Sequence, residues 1–269
     1  MSVNTPAVDR VPAYPGRVRL VPVSGQSNTY DMVRADQPTV EGTHINKEFL
    51  DQKAYTLTKS VTLYVSTSGN DTSGNGTSAA PYKTISKALS TIPKNLGGFS
   101  ATVNIAAGNY DEVVTVNYFH GGNINFSGTG TAIIDGLSVS NSRVVVERKF
   151  TIDAVGATAI NLVRGALLVA NEAVIVNAAA TGVYAQTGSV AIFNSGLGVD
   201  NCTSAAVRSG TGASIYVSAL DGSSNALGIS VDSGALCSYA TSTLSATTAT
   251  RTTSGGRILS GSQASIPSY

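Results

Sequence analysis

The chain has 269 residues, a formal net charge of +1 and only 12% charged residues, a balance that leaves no electrostatic case for binding nucleic acid or an anionic membrane. No apolar run approaches the ~20 residues of a membrane span, and the N-terminus lacks the basic-then-apolar pattern of a secretory signal, so the chain is expected to assemble in a cytoplasm and to insert in no membrane. The absence of tryptophan and a 6% aromatic content, with abundant Gly, Ser, Thr and Ala, suit a solenoid or fibre whose corners need small residues.

Residues 1–60 fall outside the repeat described below. They carry Pro6, Pro12, Pro15, Pro22 and Pro38 among the mixed charges Asp31, Arg34, Asp36 and Glu41, with one short helical stretch over 46–54. That composition predicts an extended arm that docks on another surface. Its wording is distinctive: Tyr14-Pro15-Gly16-Arg17-Val18, then Leu20-Val21-Pro22-Val23, then Asp31-Met32-Val33-Arg34-Ala35-Asp36, then Glu41-Gly42-Thr43-His44-Ile45-Asn46-Lys47. Over about residues 10–55 this series resembles the N-terminal region of tail-fibre and appendage proteins from phages and prophages of Gram-positive bacteria. The resemblance implies a virion protein that attaches to other tail or baseplate proteins through Pro15, Gly16, Arg17, Arg34, Asp36, Gly42, Thr43 and Asn46. His44 stands where the pattern has proline, and the stiffer turn proline gives is lost there.

Residues 61–99 read as a lead-in. Tyr64-Val65-Ser66 runs into Gly69-Asn70-Asp71, a Gly/Ser/Thr-rich loop, Pro81-Tyr82-Lys83-Thr84-Ile85 and a helical run from Ser86 to Ile92. The block resembles the opening of pectin-lyase-like β-helices, in which a strand, a glycine-rich turn and a capping helix cover the first coil. Physics supports a cap, because an open β-helix end exposes strand edges and core, and Ile85, Leu89 and Ile92 share one helix side. Asn70 and Asp71 read as turn residues rather than cation ligands.

From 100 to 269 the pattern is strand and tight turn. Gly165, Gly188, Gly212, Gly234 and Gly255 recur at intervals of 23, 24, 22 and 21. Small residues precede them by six positions (Ala159, Gly182, Ala206, Gly228, Ala249). The next column holds Ile160, Val183, Val207, Ile229 and Thr250, and Leu168, Ala191, Ile215, Cys237 and Ile258 follow the glycines by three. Fixed columns of small, β-branched and apolar residues at a period near 22 predict an all-β, right-handed parallel β-helix of about seven coils. Leucine-rich repeats share the period, but their leucine and asparagine consensus is missing. Asp153, Asn177, Asp200 and Asn225 form a second ladder, expected to occupy left-handed corner positions and to bond their own turns.

The outward columns suggest how the coils are used. If Leu168 to Ile258 face the core, then Leu167, Val190 and Leu236, and two positions on Val169, Ile192 and Tyr216, face out, and three such stripes packed about an axis would form a homotrimer. Asn161, Tyr184, Arg208, Ser230 and Arg251, four before each glycine, make a polar and partly aromatic row suited to stacking on sugar rings of a host surface glycan. Catalytic signatures such as paired Asp-Asp or Gly-His-Gly are missing, so the expected role is a structural or receptor-binding fibre. Were the chain instead a glycan depolymerase, Asp135, Asp153 and Glu172 are the scattered acids that would serve it. A decoration protein without a ligand is the third alternative. Glu147-Arg148-Lys149 reads as a solvated stretch. No cofactor or metal is expected, since no CxxC pair exists and His44 and His120 are isolated by spacing. Cys202 and Cys237 lie in different columns; Cys237 reads as a buried small hydrophobe, and a disulfide between them stays open.

Overall fold

The computed structural model describes residues 11–12, 18–22, 24–25, 30–34, 38–40, 56–154, 156–177 and 180–261, and the chain divides into two compact units, Met1–Tyr55 and Thr56–Tyr269. In the first unit, β1 (Val11–Pro12) pairs with β4 (Pro38–Val40), and β2 (Val18–Pro22) with β3 (Tyr30–Arg34), both antiparallel. The segment read from sequence as an extended arm thus contains two antiparallel strand pairs. The helix expected over 46–54 lies outside the described residues.

The second unit is a right-handed parallel β-solenoid of about seven coils. Its first face stacks β5 (Val61–Val65), β6 (Ser100–Ile105), β8 (Asn123–Ser127), β10 (Arg143–Val146), β13 (Leu167–Ala170), β16 (Val190–Phe193), β19 (Ser214–Asp221), β21 (Leu236–Ser242) and β23 (Arg257–Ser260). The second face holds the leading halves of β7 (Gly108–Asn117) and β9 (Thr131–Ser140), then β11 (Lys149–Asp153), β14 (Val174–Asn177), β17 (Leu197–Asp200) and the end of β19. The trailing halves of β7 and β9, then β12 (Thr158–Val163), β15 (Thr181–Ala185), β18 (Ala205–Ser209), β20 (Asn225–Val231) and β22 (Ala246–Thr252), make the third face.

The repeat columns are in register. Ile124, Val144, Leu168, Ala191, Ile215 and Cys237 line up on the first face, each at most 1% exposed. Val183, Val207 and Ile229 line up on the third, each at most 3% exposed. Each large aliphatic side chain so buried contributes about 1.5–3 kcal/mol before chain entropy is counted. The small column also has a physical cause: a Cβ on Gly182 would stand 2.5 Å from the carbonyl oxygen of Ala206 and 2.4 Å from Val199. Cys202 and Cys237 are both buried, and burial pushes the Cys237 thiol up to about 12.

The five repeat glycines form the corner between the third and first faces. Each follows another residue of positive φ, as in Thr211 (49°) and Gly212 (70°) or Ser233 (54°) and Gly234 (71°). Two successive left-handed residues, closed by bonds such as Ala213 N–H to Gly210 carbonyl (3.2 Å) and Ala235 N–H to Asp232 carbonyl (3.0 Å), make a type I′-like turn. The turns are also laced coil to coil: the Gly188 N–H donates to Thr211 and the Gly212 N–H to Ser233. This lacing satisfies corner backbone groups that no sheet ladder reaches.

The second ladder differs from expectation. Asp153, Asn177 and Asp200 do stack, but the left-handed residue is Asn201 (60°), and Asp200 accepts from the N–H (2.7 Å) and hydroxyl (3.0 Å) of Ser223 on the next coil, not from its own turn. Asn225 is not a rung of this ladder. It is 2% exposed, accepts from the Cys202 N–H (3.0 Å) and donates to the Val199 carbonyl (2.8 Å), tying two coils together from inside.

At the first coil, α1 (Ile85–Thr91) buries Ile85, Ala88 and Leu89 and packs on β5, β6 and β7. Thr84 caps it by accepting from the Lys87 N–H (3.1 Å), and Asp71 accepts from the N–H groups of Lys83 (2.7 Å) and Thr84 (3.1 Å). Glu112 reaches across from β7 to accept from the N–H groups of Ile85 (2.6 Å) and Ser86 (2.9 Å). Three side chains therefore serve the orphan donors of a helix too short to hold itself. In the last described coil, Thr250 and Thr252 stack on Ile229 and Val231, so threonine takes the place of core aliphatics on the third face, while Ile258 continues the first-face column.

Glu147 and Lys149 are exposed, as the reading of 147–149 as a solvated stretch expected, but Arg148 between them is not. It is 1% exposed, and its guanidinium donates to the carbonyls of Ile105 and Gly130 (3.1 Å) while stacking 5.5 Å from the Phe150 ring. Gly128 leaves the room: a Cβ there would stand 2.5 Å from the guanidinium. Burial holds the Arg148 pKa below the usual arginine range.

Candidate functional site

The polar row predicted on the third face is a true column, Asn161–Tyr184–Arg208–Ser230–Arg251, with Ser138 and Thr115 continuing it toward the first coil. Its members are largely engaged with one another. The Arg208 guanidinium sits 4.8 Å above the Tyr184 ring and 3.5 Å from Asp232, and Ser230, 1% exposed, accepts from Arg251 (3.3 Å). The aromatic member is thus already stacked on a cation, and an arriving sugar ring would compete with Arg208 for it.

The three acids named for catalysis fall on two corners. Asp135 follows Ile134, the partner of Ile152, which precedes Asp153; both carboxylates are exposed, one coil or about 4.8 Å apart. Glu172 precedes β14, whose far end, Asn177, carries the Asp153 column. Five residues of extended chain put Glu172 about 16 Å from that column, beyond the roughly 5–9.5 Å that two carboxyls need to flank a glycosidic bond. Among the described residues, two hollows lie beside solenoid corners; neither Asp135 nor Asp153 lines them, whereas Glu172 lines the second together with Glu147. In one, Glu112 is committed to the start of α1; in the other, Glu147 accepts from the Asn171 amide (2.7 Å), which in turn accepts from Asn194 (2.7 Å). That Glu147–Asn171–Asn194 ladder was not anticipated, although its 24- and 23-residue spacings repeat the period.

The outward columns proposed as a seam stack as expected. Leu167 lies beside Val190, then Ser214 and Leu236; Val169 lies beside Ile192 and Tyr216. Val145 extends the second column toward Asn125, Thr102 and Thr62, so the apolar part occupies the middle of the first face. Leu167, Val169, Val190, Tyr216 and Leu236 are half-buried, whereas Ile192 is 1% exposed and covered by its own neighbours. Ile192 therefore offers no fresh area to a partner. Of the attachment residues, Arg34 ends β3, and Pro15, Gly16, Arg17, Asp36, Gly42, Thr43 and Asn46 lie outside the described residues. Asn70 and Asp71 act as turn and cap: the Asn70 side chain accepts from the Thr72 and Ser73 N–H groups (2.8 and 2.9 Å). Among the described residues no three His, Cys, Asp or Glu side chains gather as metal ligands.

One corner residue was missed. Tyr118 has a φ of 60° and is 48% exposed, at the position held by Asn141, Arg164, Thr187 and Thr211 on later coils. The sequence signal was periodic: Tyr118, Asn141 and Arg164 are 23 residues apart. Comparison with protein-family models, curated proteins and solved structures yields no match.

Proposed function

We propose that this chain is a non-enzymatic virion appendage, a homotrimeric β-solenoid fibre anchored by its N-terminal segment and touching host surface glycans through its coils. The observation that carries the reading is the pair of outward apolar columns, with Leu167 and Val190 in one and the half-buried Val145, Val169 and Tyr216 in the other, running along the middle of one face. Half-buried aliphatics aligned over several coils favour lateral packing of like chains, and a rotationally symmetric trimer is the closed assembly that suits a fibre. The resemblance of residues 10–55 to phage appendage N-termini supports attachment to a tail or baseplate. Asp135 and Asp153 stand exposed on a corner and line neither of the hollows described above, which supports binding over turnover.

The test is the molar-mass distribution of a candidate host's envelope polysaccharide, followed by size-exclusion chromatography with light scattering, before and after incubation with the full chain. Unchanged polymer that co-elutes with protein is the expected result. A fall in polymer mass would overturn the non-enzymatic reading, and unchanged polymer without co-elution would leave a purely architectural role.

A further inference from the structure

The corner at Tyr118 combines three features that packing alone does not require. First, the side chain is bulky and the backbone left-handed, at a position where later coils use Asn141, Arg164 and then Thr or Ser; a conformation of this kind persists only where its surroundings hold it and is a pointer to function. The surroundings do hold it. The Tyr118 N–H donates to the Ser140 carbonyl (2.9 Å), the next residue, Phe119, is buried, and the Phe119 N–H donates to the Ser142 hydroxyl (3.0 Å).

Second, the phenol is pinned. Its hydroxyl accepts from the Arg164 guanidinium at 2.7 Å. Asn117, Ser140 and Val163 are aligned neighbours, so Tyr118 and Arg164 stand two coils apart, about 9.6 Å. A contact over that span requires the tyrosine to run along the solenoid axis, past Asn141, rather than out into water. It leaves a fixed ring with about half of the side chain in water (48%).

Third, polar capacity is left over beneath it. The described buried side-chain atoms without a hydrogen-bond partner include Asn117 Oδ1, Ser140 Oγ and Arg143 Nε, which precede or follow Tyr118 and Asn141 by one or two residues. Ser140 is 5% exposed. Buried groups of this kind are served by enclosed water, which would firm the floor under the exposed ring. The charges there are of one sign: Lys94, whose ammonium donates to the Asn117 carbonyl (2.7 Å), with Arg143 and Arg164. The segments 94–100, 117–123 and 140–143 contain no Asp or Glu.

We propose that this corner is a binding site for a pyranose carrying an anionic group, a uronic acid unit of a polysaccharide, with the sugar's apolar face on the Tyr118 ring and its carboxylate toward Arg164. The phenol supplies stacking area at low entropic cost, and a guanidinium matches a carboxylate with two parallel N–H groups. Asn141, exposed between them, offers its amide to ring hydroxyls. The inference rests on the glycan-contact part of the proposed function and moves the contact from the Asn161–Arg251 row to the Tyr118 corner.

The experiment is isothermal titration of the full chain with tetragalacturonate and, in parallel, with the neutral galactose tetramer, using wild type, Tyr118→Asn, Arg164→Met and Tyr184→Ala. Wild type should bind the acidic tetramer at least tenfold more tightly than the neutral one. Tyr118→Asn should lose at least tenfold in affinity while its melting temperature holds or rises, because asparagine tolerates the left-handed backbone. Arg164→Met should abolish the preference for the acidic sugar, and Tyr184→Ala should bind as wild type does. If Tyr184→Ala loses binding and Tyr118→Asn does not, the site is misplaced but glycan contact stands. If neither tetramer binds wild type, the site proposal is overturned; the polysaccharide co-elution test then decides separately whether glycan contact survives.

Discussion

Two corner glycines should respond very differently to the same added methyl group. Gly212 and Gly222 both have positive φ, 70° and 138°, but a Cβ on Gly212 meets nothing within 4 Å, whereas on Gly222 it would lie 1.8 Å from the Val199 carbonyl oxygen. For Gly212→Ala the cost is the left-handed penalty alone, about 1–2 kcal/mol, partly offset by roughly 0.4–1 kcal/mol from the stiffer unfolded chain, leaving about 1 kcal/mol. For Gly222→Ala the carbonyl must retreat by more than 1 Å. That carbonyl accepts from the Asn225 amide (2.8 Å), and Gly222's own carbonyl accepts from the Ser245 N–H (2.8 Å). Losing two hydrogen bonds at about 1 kcal/mol each, with backbone strain of about 1–3 kcal/mol, brings the cost to about 3–5 kcal/mol. Urea unfolding followed by far-ultraviolet circular dichroism measures both. Equal losses for the two variants would refute the coil spacing on which the corner geometry depends.

Other outcomes follow from particular contacts. Asn225→Ala removes the acceptor of the Cys202 N–H and a donor to the Val199 carbonyl and should cost about 2–4 kcal/mol in the same denaturation assay. Tyr118→Asn should stabilise by up to about 1 kcal/mol, read as a higher melting temperature. Neither Cys202 nor Cys237 should react with a thiol reagent at pH 8 until denaturant is added, since both are buried and the Cys237 thiol is pushed up to about 12. Burial opposes ionisation of Asp71, but the Thr84 hydroxyl, the Thr84 and Lys83 N–H groups and Lys87 outweigh it and hold its pKa below 3.8. A depressed carboxyl stabilises the fold above its unfolded value and loses that contribution as pH falls through its folded one. Wild type should therefore lose melting temperature below about pH 4 more steeply than Asp71→Asn.

The repeat was legible because its determinants are local. A left-handed corner selects glycine by residue type, and inward positions select aliphatics, so column and fold could be read together from the chain. Asn225 was misplaced because residue type alone was matched. Its 25-residue step from Asp200 exceeds the 23 that separate Asp200 from Ser223, the residue that occupies the next rung. Arg148 was misassigned because charge ordinarily marks solvent; what buries it is a set of carbonyls, from Ile105 and Gly130, contributed by residues 43 and 18 positions away. Tyr118 escaped for the opposite reason: left-handed backbone is sought at glycine and asparagine, and only the 23-residue spacing to Asn141 would have exposed it. The outward columns were legible as columns, but residue type did not separate the buried Ile192 from the half-buried Val169 and Tyr216 on either side of it.

The central claim is lateral assembly through the first face, and sedimentation velocity of the full chain addresses it most directly. Chains of 27.3 kDa should sediment as a species of about 82 kDa, and a Val169→Asp/Val190→Asp variant, altered at two half-buried outward positions, should sediment as a monomer with an unchanged circular dichroism spectrum. A wild type that stays monomeric at micromolar concentration, or a double variant that assembles as wild type does, would contradict the account.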